Sequence, residues 1–167
     1  MRENWQKIEN VWTDIEGYNC FVCSPFHAWG FRLEFFYDPD EDVAVSPVPP
    51  VKEEMSGFPG IIHGGFQAML LDEIMAWAAL HHAKKTVFTG KMEVKFLLPL
   101  ATGVPFLLKG KILKSSSRLI KAKAWIEAEG KIRASGEGVC VIPDVKTFKG
   151  NLGASKVSEK MLPYLRA

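Results

Sequence analysis

The sequence predicts an α+β fold in which one long helix is enclosed by a curved antiparallel sheet. Three observations carry the prediction: a stretch from about Gly64 to His82 is apolar nearly all round, four strand-like runs follow it, and only short turns separate those runs. From Phe66 to Leu80 the only polar side chains are Gln67, Asp72 and Glu73. At roughly 100° per residue Gln67 stands about 140° from Asp72 and about 120° from Glu73, so the three form no solvent stripe. A helix of this kind must be covered on nearly every side. The sheet that follows covers one side, and a second copy of the chain is expected on the other.

The elements follow in order. Trp5, Ile8, Val11, Trp12 and Ile15 recur at helical spacing with charges between them, which predicts a short amphipathic N-terminal helix over about 4–16. Residues 20–30 are loop-like, broken by Pro25 and Gly30, and Phe31 to Tyr37 reads as a strand. Asp38-Pro39-Asp40-Glu41-Asp42 is a turn, and Val43 to Val48 is a second short strand before Pro49-Pro50. After the long helix, strands are expected at about 86–98, 104–115, 119–129 and 131–142. The third alternates most clearly: Ile120, Ala122, Ala124, Ile126 and Ala128 share one face, and Lys121, Lys123, Trp125, Glu127 and Glu129 the other. Short turns predict an antiparallel meander, because parallel neighbours need long crossovers. Beyond Pro143 the chain reads as loop, ending in a helical turn or two around Ser158 to Leu165. No repeat or linker interrupts it, so one domain is expected over 1–167, with its core at about 19–142, the N-terminal helix at about 4–16 and a tail over 143–167.

Composition excludes several classes. A chain of 167 residues fits one domain, and 47% hydrophobic with 24% charged residues describes an ordinary globule rather than a disordered chain. The net charge, 21 − 19 = +2, suggests no nucleic-acid partner. Asp72 and Glu73 interrupt the best apolar run short of the ~18 residues of a membrane span, so no membrane partner is expected. Met1-Arg2-Glu3-Asn4-Trp5 shows no signal-peptide pattern, and three cysteines, an odd number, read as free thiols. A cytoplasmic location is expected.

The chemistry concentrates on the long helix. Ile61-Ile62-His63-Gly64-Gly65 stands at its start. The first N–H groups of a helix lack internal acceptors and carry the positive end of its dipole, which suits an oxyanion or a phosphate. Taken alone, the two glycines serve close packing or a tight turn at least as well. Asp72 adds weight, because a carboxylate in an apolar helix is costly unless it has a role or a partner. Gly64 and Asp72 are eight residues apart in sequence, about 12 Å along a helix axis. If both act on one carbonyl, two antiparallel helices from two subunits must supply them.

Gly57-Phe58-Pro59-Gly60-Ile61-Ile62-His63-Gly64-Gly65, with Asp72 nine residues after His63, resembles the hotdog-fold acyl-CoA thioesterases, in particular the phenylacetyl-CoA-type (PaaI-like) group. The resemblance spans roughly residues 19 to 142. It includes Cys20-Phe21-Val22-Cys23 with Gly30-Phe31-Arg32-Leu33 before the first strand. It implies a hotdog fold and hydrolysis of a thioester to a carboxylic acid and CoA, with CoA as part of the substrate and no cofactor. The resemblance further implies that His63 and Gly64 meet the thioester carbonyl, with the Gly64 N–H as oxyanion donor. Asp72 of the neighbouring subunit would be general base or attacking carboxylate, and Thr89 would orient water or that carboxylate. Substrate-binding roles are expected of Gly65, Gln67, Lys91 and Arg118. Some relatives carry an Asn six residues before the His; here that place is Gly57, so either the Asn role is absent, as in a subset of relatives, or another group supplies it, with Gln67 a candidate. Homodimers or tetramers are expected. A thiolate with a pKa near ~8.5 leaves without much help from an acid, so oxyanion stabilisation and an activated water suffice.

Two further clusters stand out in the sequence. Lys109, Lys111, Lys114, Arg118, Lys121 and Lys123 have no acidic residue among them in sequence, and read either as a solvated sheet face or as a site for the CoA phosphates, with Arg118 foremost. Cys20-x-x-Cys23 with His27 offers three metal ligands, one short of a structural zinc site, so no metal is expected. Cys140 reads as core and His81-His82 as surface. Two other functions stand beside the thioesterase: a non-catalytic acyl-CoA binder on the same fold, and an enoyl hydratase or dehydratase, for which no adjacent His–acid pair is evident. Trp77, Met69, Met75, Phe26, Trp29 and Phe31 either shape an acyl pocket or pack.

Overall fold

The apolar helix forms as expected: α1 spans Gly64–Ala83, and its C-cap Lys84 turns into the left-handed region (φ 51°). The computed structural model describes residues 3–153 and 157–166; the extreme ends of the expected domain, and residues 154–156 of the expected tail, lie outside them. Among the described residues nine strands accompany the helix: β1 Gln6–Lys7, β2 Phe36–Asp38, β3 Val43–Val48, β4 Ser56–Phe58, β5 Ile61–Ile62, β6 Phe88–Phe96, β7 Phe106–Ser115, β8 Leu119–Ala128 and β9 Lys131–Val141. A short helix α2, Val145–Leu152, and a 3-10 segment, Glu159–Tyr164, follow. Seven strands form one antiparallel sheet in the order β1-β2-β3-β7-β8-β9-β6, and β4 pairs with β5 apart from it.

The helix lies in the hollow of this sheet, chiefly over β7 and β8. The reason is legible in β8, whose inward side chains Ile120, Ala122, Ala124, Ile126 and Ala128 are all buried and mostly small. A small inner face lets a bulky helix settle close. At Gly110 on β7 the approach is tightest: a Cβ there would stand 2.9 Å from the Ile74 carbonyl oxygen. Trp77 closes the far side, stacked on Phe35 at 4.3 Å and edge-on to Trp12 at 5.0 Å. Among the described residues no helix is long and apolar enough to cross a membrane.

Four expectations are corrected. The N-terminal helix over 4–16 is absent; β1 joins the sheet edge beside β2, and turns follow. Sheet pairing wins there because Ile8 N–H donates to Phe35 O at 2.8 Å, while the Asn10 side chain accepts from Trp12 N–H and breaks any helical ladder. The apolar residues of that segment still pack inward, Val11, Trp12 and Ile15 lying against Phe148 and Met161. The strand expected over Phe31 to Tyr37 shrinks to β2, since Phe31 and Leu33 donate to Phe21 O and Val22 O and Arg32 has φ 51°. The four late strands are antiparallel but no simple meander: β6 crosses to pair with β9 at the sheet edge, while β7 pairs with β3. The tail past Pro143 is not loop, because Asp144 caps α2 by accepting from Thr147 N–H at 2.7 Å.

Candidate active site

The start of α1 is built by a backbone relay. His63 N–H donates to Met55 O at 2.9 Å, and its Nδ1 accepts from Gly65 N–H at 2.9 Å, so His63 caps the helix with its own ring. Its carbonyl accepts from Phe66 N–H at 3.0 Å. Among the described residues no acceptor meets the Gly64 N–H. Gly57 explains its own identity: a Cβ there would lie 2.9 Å from the His63 ring, so an Asn would displace the capping imidazole. Buried Gln67 donates to Ile62 O at 2.9 Å, and among the described residues its Oε1 has no partner. Gly57, His63, Gly64, Gln67 and Phe96 line a cavity of about 410 Å³ at this helix end.

Two turns along α1, Asp72 faces a different cavity, of about 590 Å³. Thr89 at the start of β6 donates to Asp72 Oδ1 at 2.5 Å, so one carboxylate oxygen is held and the other is left open. Thr89 pairs across the sheet with Cys140, which is fully buried as expected of a core residue. Trp12, Ile15, Phe88, Phe148 and Leu152 supply apolar walls. Two of those walls, on α2, escaped the sequence reading; Asp144 followed by Val145, Phe148 and Leu152 and then Gly153 was the signal.

The same cavity contains a cluster that sequence reading did not assemble. Cys20, Cys23 and Glu73 meet on its wall, Cys20 Sγ standing 3.5 Å from Glu73 Oε2. Burial pushes the Glu73 carboxyl up to about 7, while the hydrogen bond with Cys23 draws the Cys20 thiol down to about 5. Cys23 moves the other way: its hydrogen bond with Cys20, and then burial, push its thiol up. His27 stands apart, its ring against Phe21 and its Nδ1 accepting from Trp29 N–H.

The expected phosphate ligands are scattered. Lys109 is buried between Glu41 (2.7 Å) and Glu127 (3.1 Å), and Lys121 pairs with Glu137 at 3.1 Å, so two of the six cations are neutralised. Lys91 lies beside Lys121 and Val139 on the outer face of the sheet, away from Asp72. Arg118 is exposed in the turn before β8, where Leu119, Val141 and Phe88 form one row across three strands. Two strand spacings place Arg118 about 10 Å from the Thr89 end of β6. Trp77 and Met75 are core, whereas Phe26 and Trp29 are exposed.

One helix lying in a concave antiparallel sheet, its N-terminus opened by adjacent glycines, defines the hotdog class of protein. The family model described as the thioesterase superfamily matches residues 59–134 of this chain. A Saccharolobus solfataricus protein with a provisional esterase name is 34% identical over 92 residues, covering 53% of this chain. The chain spans 64% of the length of that relative. Zebrafish thioesterase superfamily member 2 superposes with a TM-score of 0.60 at 22% identity, over 72% of this chain and 89% of the other. A point mutant of the phenylacetic acid degradation protein PaaI from Thermus thermophilus gives 0.57 at 22% identity, over 65% of this chain and 91% of the other. At those identities the two structures establish a shared fold.

Proposed function

We propose that this chain hydrolyses acyl-CoA thioesters at a site completed by a second copy of itself. The observation that carries the proposal is the division of the machinery within one chain: the Asp72–Thr89 pair opens on one cavity and the Gly64 N–H on another. Eight residues of helix separate them by about 12 Å, too far for one thioester carbonyl. Antiparallel pairing of two α1 helices brings each Asp72 to the partner's helix start. Two features support such pairing. Gly65, Ala68, Met69, Asp72 and Ala76 lie within about 60° of one another's mean direction and are left incompletely covered. Strand β6 is the sheet edge, bonded on one side to β9.

In this arrangement the carbonyl oxygen sits at the Gly64 N–H. The open oxygen of Asp72 takes a proton from water, the hydroxide oxygen bonds to the carbonyl carbon, and the resulting oxyanion is held by Gly64. Collapse breaks the C–S bond and releases CoA as its thiolate, which needs little protonation to leave. Thr89 fixes the carboxylate plane. The relatives named as esterase or thioesterase favour this reading, and the three unpaired cysteines favour a reducing, cytoplasmic setting. A panel of acyl-CoAs with thiol release as readout tests it: Asp72→Ala is expected to lose turnover, and full turnover by that variant overturns the role of Asp72.

A further inference from the structure

We propose that Cys20, Cys23 and Glu73 bind one thiophilic divalent transition-metal ion of the zinc class, on the wall of the cavity that Asp72 also faces. The ligand atoms of the three residues all lie within 4.8 Å of one another. A tetrahedral zinc with Zn–S of about 2.3 Å and Zn–O of about 2.0–2.2 Å has S···O edges of about 3.5 Å and S···S edges of about 3.8 Å. The Cys20 Sγ···Glu73 Oε2 separation is already 3.5 Å, so small side-chain rotations close the set.

The ligands are held from behind, as metal ligands generally are. Trp77 Nε1 donates to the other Glu73 oxygen at 2.8 Å, and the Tyr18 hydroxyl is 2.7 Å from Cys23 Sγ. Asn10 Nδ2 in turn reaches the Tyr18 hydroxyl at 3.3 Å and Cys23 O at 3.2 Å. Charge points the same way. Two thiols and a largely buried carboxylate are packed together, and among the described residues no Lys, Arg or His forms an ion pair with Glu73. Binding displaces to the buffer the protons that Cys23 and Glu73 still hold, since the ligand atoms must be deprotonated. Two sulfurs with one oxygen select zinc, cobalt or cadmium over magnesium or calcium. Three protein ligands leave one vertex open to the cavity, where water completes the tetrahedron. The set differs from the Cys20, Cys23 and His27 grouping suggested by spacing, because Glu73 of α1 takes the place of His27.

The test uses the full chain, reduced with a phosphine and stripped with chelator, titrated with cobalt(II) and then zinc(II). A sulfur-to-cobalt charge-transfer band saturating at one equivalent and erased by zinc is expected. Cys20→Ser and Cys23→Ser each lose the band, Cys140→Ser keeps it, and Trp77→Phe, which retains every ligand, binds about 10-fold more weakly. Wild-type protein without the band, or a band that persists in the Cys20→Ser/Cys23→Ser double variant, overturns the proposal. Should Cys23→Ser fail to fold by circular dichroism, Cys20→Ser and Glu73→Gln carry the test, since both residues lie on the cavity wall.

Discussion

Replacing Gly64 by proline removes one hydrogen-bond donor and little else. Proline is favoured at the first position of a helix, where its missing N–H would have no internal acceptor. His63 has φ −56° and ψ 136°, inside the range that a residue before proline adopts. The added carbons meet Phe96, whose ring would stand 3.1 Å from a Cβ at position 64 and is 56% exposed, so it can yield. Gly64→Ala brings the same Cβ but keeps the donor, and isolates the effect of the N–H. The neighbouring Gly65 N–H is already given to His63 Nδ1 and offers no substitute. Loss of an oxyanion donor costs about 2.7–4 kcal/mol, so kcat should fall about 100- to 1,000-fold in Gly64→Pro relative to Gly64→Ala. The shared-site arrangement adds a sharper test. Asp72→Ala and Gly64→Pro chains, each inactive alone, are mixed in equal amounts under conditions that exchange subunits. Half the dimers become mixed, and each mixed dimer holds one site with an intact Asp72 and an intact Gly64, so about one quarter of wild-type activity returns. No recovery in a mixture shown to contain mixed dimers would refute the two-chain site. Equal rates for Gly64→Pro and Gly64→Ala would refute the oxyanion role.

Thr89→Val removes the hydroxyl on Asp72 Oδ1 at an exposed position, so thermal stability should hold while kcat falls about 10- to 100-fold, as for a lost hydrogen bond to a charged group. Gly110→Ala forces a Cβ against the Ile74 carbonyl at 2.9 Å, and urea denaturation should show a loss of about 1–3 kcal/mol. Met69→Glu places a charge on the incompletely covered face of α1, and size-exclusion chromatography should show a smaller assembly that retains the circular dichroism of the wild type. In metal-free protein, Glu73 and Cys20 make opposite contributions to stability. Glu73 rises from 4.5 to about 7 on folding, so its contribution is full below 4.5 and lost as pH rises through 7. Cys20 falls from 9.0 to about 5, so its contribution is full above 9 and lost as pH falls through 5. Denaturation across pH 5–7 should therefore show stability falling with pH in Cys20→Ser and rising with pH in Glu73→Gln; flat profiles in both would overturn the pairing.

The long helix was legible because nothing competes with a run of fifteen positions holding three polar side chains, and β8 because its small apolar residues alternate without a break. The Asp72–Thr89 contact followed only through resemblance, since a threonine opening a strand has no signature of its own. Order within the sheet was hidden: short turns promise neighbours, yet β6 leaves through Pro99 to Gly103 and its partner is β9. The N-terminal segment carries true helical spacing and still forms β1, because Ile8, Trp12 and Ile15 gain as much by packing on α1 and the tail while the backbone bonds to the sheet edge. Glu73 was visible as a polar residue in an apolar helix, but its meeting with a loop fifty residues upstream depends on how residues 18–24 fold back, through Ser24 N–H to Cys20 O and Phe31 N–H to Phe21 O.

The pairing of β6 with β9 also sets an order of assembly. Helix α1 and strand β6 leave the ribosome early, yet β6 has no sheet partner within its own chain until residues 131–141 emerge. Asp72 is in place as soon as the helix forms, whereas Thr89 is held opposite Cys140, near the far end of β9. Contacts of such long range form late, after the local ones. A nascent chain stalled before β9 would thus carry the acid without the hydroxyl that orients it, and the last strand to be synthesised is the one that arms the first half of the site.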